Sequence, residues 1–169
     1  MAYQLPVDCL NEIFEYLEED KPSLHSCLLV NRLWCKISVR ILWRNIWNSS
    51  HILRNRRLLS TLIACLPNES KEILYNNKII FSTSTSKPPI FNYASFCKSL
   101  TTLVVRRNIR KLLEDQLHVS EQNLNDKKNI VLQEIFKFLM KVTSLRTLNT
   151  DIYLLTINLV NFLFINFKK

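Results

Sequence analysis

Residues 5–43 read LPVDCLNEIFEYLEEDKPSLHSCLLVNRLWCKISVRILW, and their apolar positions fall into three short helical runs separated by chain breakers. Pro6 suits a helix start because its φ is fixed and its missing amide donor would be unpaired there anyway. Leu10, Ile13, Phe14 and Leu17 follow at helical spacing as one apolar stripe, with Glu12, Glu15, Glu18 and Glu19 largely off it. Asp20, Lys21 and Pro22 break the pattern and allow a second, shorter helix carrying Leu24, Cys27 and Leu28. After Val30 a third helix carries Leu33, Trp34, Ile37, Ile41 and Leu42, with Lys36, Arg40 and Arg44 recurring every fourth residue on a wet, basic face. Three helices in about forty residues sit near the lower size limit for an independent core, so their surplus apolar surface must lean on the rest of the chain or on a partner.

The ordered set Leu5-Pro6, Ile13-Phe14 with Leu17, Leu24, Leu28, Val30, Trp34 and the closing Leu42-Trp43 resembles the F-box family. The resemblance covers about a quarter of the chain and rests on the spacing of the whole set, since no single dipeptide in it is specific. It implies a protein that docks on the Skp adaptor subunit of Skp-cullin-F-box ubiquitin ligases, and through it on cullin. The region beyond the F-box would hold a substrate protein for ubiquitination. The chain would then be a receptor and not an enzyme, with no catalytic residues. Carried over by position, the resemblance assigns adaptor binding to Leu5, Pro6, Ile13, Phe14, Leu17, Leu24, Leu28, Val30 and Trp34, with Phe14 and Trp34 foremost. For Leu10, Leu33, Ile37 and Ile41 ordinary core packing is the preferred reading.

Composition bounds the other function classes. The 169 residues suffice for one or two small domains, and 47% hydrophobic with 22% charged residues is a globular balance. Glycine is absent, which excludes phosphate-cradling loops, dinucleotide fingerprints and nucleophile elbows, all of which need close backbone approach or positive φ. Asparagine is expected to serve the left-handed turns instead, at Asn48, Asn68, Asn76, Asn77, Asn92 and Asn125. Cys9, Cys27, Cys35, Cys65 and Cys97 form an odd set without paired short spacing, and the start MAYQLPVD lacks a basic, apolar signal pattern. Reduced thiols in the cytoplasm or nucleus are expected, with Cys9, Cys27 and Cys35 as small core hydrophobes. His25, His51 and His118 stand far from one another and from cysteine at ligand spacing, so neither a metal nor a cofactor is expected.

A net charge of +9 opens an alternative, a basic three-helix nucleic-acid-binding protein, with concentrations at Arg54, Arg56, Arg57 and at Arg106, Arg107, Arg110, Lys111. Against it, residues 1–20 carry six carboxylates and no Lys or Arg, so half of such a reader would repel phosphate.

The expected fold is mainly α: a three-helix F-box over 1–47, then a helical, leucine-rich-repeat-like α/β region over 48–169. In the second part, Arg54–Leu66 reads as an amphipathic helix stopped by Pro67, and Ser70–Tyr75 as a polar helix start. The stretch STSTSKPP, about 82–89, reads as an exposed loop. Leu100 to Leu113 suits a helix backed by the second basic group, polar His118–Asn129 a separator, and Ile130–Val142 a further helix. Leu145, Leu148 and Asn149, with an echo in Leu100, Leu103, Val105 and Asn108, look like turns of a short leucine-rich repeat. The apolar stretch 152–167 is too short for a membrane span and reads as buried strand or helix, so no membrane partner is expected.

Overall fold

A computed structural model describes residues 5–48, 52–81, 89–115, 121–142 and 146–149. The expected loop at 82–88 and the apolar stretch 152–167 lie outside the described residues.

The N-terminal unit contains α1 (Val7–Tyr16), α2 (Lys21–Cys27) and α3 (Arg32–Arg44). Their starts follow from local chemistry. Pro6 sits at the cap of α1 in extended conformation, one position before the helix, and its carbonyl accepts from the Leu10 amide at 3.1 Å. The Asp20 carboxylate accepts from the Ser23 amide at 3.1 Å, and the Asn31 side chain accepts from the Trp34 amide at 2.9 Å, so α2 and α3 each satisfy an orphan donor.

After a 3₁₀ turn at Ile46–Asn48 come α4 (Ile52–Ala64) and α5 (Asn68–Asn76). A second 3₁₀ turn at Tyr93–Phe96 leads into β1 (Ser99–Thr101), α6 (Thr102–Glu114), α7 (Glu121–Val142) and β2 (Thr147–Asn149). The first turns of α7 occupy Glu121–Asn129, where the sequence predicted a polar separator. Leu124 and Lys128 turn inward there while Asn123, Asn125 and Asp126 stay wet, so a helix with a narrow buried stripe absorbs the polar run.

Two buried clusters share α3. Leu10, Phe14, Leu24, Cys27, Ile37 and Ile41 form the small N-terminal core. Val39, Trp43, Ile46 and Trp47 belong instead to a larger core built with α4, α6 and α7. Helix α3 thus buries Ile37 and Ile41 on one side and Val39 and Trp43 on another, with Leu42 touching both clusters. Much of the surplus apolar surface of the three-helix run is therefore hidden inside the chain, each large side chain contributing roughly 1.5–3 kcal/mol. Backbone bonds reinforce the junction: the Lys98 amide donates to the Arg44 carbonyl at 2.9 Å, and the Lys98 carbonyl accepts from Arg146 at 2.8 Å and Thr147 at 3.1 Å.

The leucine-rich-repeat reading is corrected. Strands β1 and β2 do pair in parallel, with Leu100 opposite Leu148, which brings the two sequence echoes together. A repeat of about 20–29 residues has at most one helix between neighbouring strands. Here both α6 and α7 intervene, and Leu103, Val105 and Asn108 lie inside α6 rather than on a strand. The region is a helical assembly clasped by one short parallel strand pair.

The asparagine expectation also changes. Among the described residues the single positive φ belongs to Lys78, at 56°. Asn77, just before it, closes α5 from a right-handed conformation, its side-chain amide donating to the Ile73 carbonyl at 2.8 Å. Asn68 and Asn125 are helical.

Candidate functional site

Carboxylates along α1 meet guanidinium groups along α3. Arg44 donates to both oxygens of Glu15 at 2.7 Å and to Glu18 at 3.1 Å, and Arg40 reaches Glu15 at 3.2 Å and Asn11 at 3.3 Å. The Asn45 amide adds a bond to Glu18 at 3.1 Å. Hydrogen bonding from Arg44 holds the Glu15 carboxyl below its usual range against the opposing pull of burial, and Glu15 in turn raises Arg44. These cations belong to the basic face of α3 in the three-helix unit that the nucleic-acid alternative would use. With Arg40 and Arg44 matched by α1, that face has lost most of the unpaired charge a phosphate backbone would find.

Below the ion pairs, the Phe14 ring meets Trp34 edge-on, centroids 5.1 Å apart. Phe14, 1% exposed, and Leu24, fully buried, both assigned to adaptor contact by the resemblance, sit on the inward faces of their helices in the small core. Leu17 and Trp34 are partly buried against the small core, and Leu28 is partly buried against the larger one. Leu10, Ile37 and Ile41 are buried and Leu33 partly so, as core packing requires.

Leu5, Pro6, Ile13 and Val30 face solvent, Ile13 at 48% and Val30 at 57% exposure. Sequence periodicity missed their apolar company: Val7, Tyr16 and Leu29 are also exposed. Of the eleven large hydrophobics exposed among the described residues, six lie between Leu5 and Val30. Apolar exposure therefore concentrates on the N-terminal unit even after α3 has spent its far side on the larger core. Cys9, read as a core residue, is exposed on α1 as well, whereas Cys27 is buried and Cys35 half-buried. The described residues contain no group of three or more His, Cys, Asp or Glu able to hold a metal ion. No helix among them is long and apolar enough to cross a membrane.

Three short helices, two of them with side-chain caps, share a small core and leave several large apolar residues exposed. Residues 2–49 match the family model described as F-box-like, so the N-terminal unit of this chain is an F-box-like domain. No curated protein and no solved structure matches the chain.

Proposed function

We propose that this protein is the substrate-receptor subunit of a Skp-cullin-F-box ubiquitin ligase. Its F-box-like domain docks on the Skp adaptor, and the region from residue 48 onward holds the protein to be ubiquitinated. The observation that carries this reading is the exposed apolar group of Leu5, Ile13 and Val30, with Val7 and Leu29, on a unit that matches the F-box-like family. Side chains of this kind gain by leaving water, and the same three-helix unit is packed from within by the Phe14–Trp34 pair. The protein itself has no catalytic step in this scheme, uses no cofactor, and acts in the cytoplasm or nucleus, where cullin ligases assemble.

Titration of the full chain with purified Skp adaptor tests the proposal. A saturable one-to-one complex that survives high salt is expected, because an apolar interface is weakly screened. Absence of binding overturns the reading.

A further inference from the structure

Helices α3, α4 and α6 each carry clustered cations, and among the described residues those of α3 are matched by carboxylates. On α3, Arg40 and Arg44 are tied to Glu15 and Glu18. On α6, Arg106, Arg107 and Lys111 have no carboxylate in ion-pair contact among the described residues; Arg110 pairs with Glu114 at 2.7 Å on the same helix and stays half-exposed. Helix α6 buries Val105, Ile109 and Leu113 against the core, which turns Leu103, Arg107 and Arg110 outward on one face. Arg106 and Lys111 flank that face, each half-buried. From α7, Lys128 borders the Arg106 and Arg110 side: burial holds its ammonium below the usual lysine range, and those two arginines push it further. Such crowding of like charges lowers the stability of the isolated chain, and a bound anion would relieve it.

We propose that this face of α6 is the surface that captures the target, and that it takes an acidic protein segment with an apolar side chain among its carboxylates. The proposal rests on the receptor reading above and deepens it. Charge complementarity selects an anion. Leu103, 41% exposed at the head of the basic face, selects protein over nucleic acid, since a phosphate backbone has no use for an aliphatic contact and no aromatic side chain of α6 stands ready to stack on a base. Glu114 and Asp115 end the basic face at the C-terminus of α6, so the carboxylates of the segment must lie nearer the Leu103 end.

The test uses the full chain in complex with the adaptor, and fluorescence anisotropy of two labelled probes: an oligoglutamate peptide containing one leucine, and a single-stranded oligonucleotide of equal net charge. The peptide is expected to bind more tightly, with affinity falling as salt rises. Arg107→Glu/Lys111→Glu should weaken it about tenfold or more, and Leu103→Ser about threefold, with adaptor affinity unchanged and the thermal midpoint not lowered. Tighter binding of the oligonucleotide, or peptide affinity indifferent to both variants, overturns the proposal. Peptide capture by a chain that does not bind adaptor would instead overturn the receptor reading and leave the basic face standing.

Discussion

Arg44 grips both carboxylate oxygens of Glu15 at 2.7 Å across 29 positions of chain, joining the first helix of the F-box-like domain to the third above their shared core. Planar guanidinium against carboxylate gives two parallel bonds, a geometry a lysine could not reproduce.

The pair should be worth about 0.5–1 kcal/mol in a double-mutant cycle of Glu15→Gln and Arg44→Met, because both side chains remain partly open to water. Its pH dependence has a definite sign. The Glu15 carboxyl is held below its unfolded value, so the contribution is complete above the ordinary carboxylate range and disappears as pH falls through the lowered folded value. Thermal melts between neutral and acid pH should show a shallower acid loss in Glu15→Gln than in the parent. Parallel acid limbs would contradict the assignment.

A second long-range bond ties α5 to α7, where the buried Ser70 hydroxyl donates to Glu134 at 2.8 Å and Lys137 donates to the other oxygen at 3.0 Å. Ser70→Ala leaves one buried carboxylate oxygen without its donor and should cost about 1–3 kcal/mol in urea denaturation. A loss below about 0.5 kcal/mol, the size of an ordinary surface substitution, would show that water replaces the hydroxyl.

Thiol accessibility separates the five cysteines. Cys9 is exposed and should react first with an aromatic disulfide reagent under native conditions. Burial pushes the Cys97 thiol up to about 12, so it should stay unlabelled until denaturant is added, and burial raises Cys65 as well. Labelling of Cys97 at the rate of Cys9 would contradict the placement of the loop before β1 over the larger core.

The three N-terminal helices were legible in the sequence because each carries its own local signals: Pro6, Asp20 and Asn31 mark the starts, and apolar spacing marks the inner faces. The same periodicity found α4, α5 and the main part of α6 and α7. It could not tell Phe14 from Ile13 as core against surface, because adjacent apolar residues at the stripe's edge differ by a rotation that only neighbouring helices fix. The Glu15–Arg44 match was invisible for another reason: Glu15 and Arg44 each looked like solvated charge, and nothing local links positions so far apart. The strand pair misled in the opposite direction. Its leucine and asparagine pattern is real, yet two intervening helices show that the pairing closes a helical unit instead of propagating a repeat.

The most direct measurement compares adaptor affinity and stability for one surface variant and one core variant of the full chain. Ile13→Asp/Val30→Asp changes exposed positions and should weaken adaptor binding at least a hundredfold while leaving the thermal midpoint within a few degrees. Phe14→Ala should cost about 3–5 kcal/mol of stability, and any loss of adaptor affinity in it should track the unfolded fraction. Full adaptor binding by Ile13→Asp/Val30→Asp, with its fold intact, would contradict the claim that the apolar surface of the F-box-like domain is the docking site.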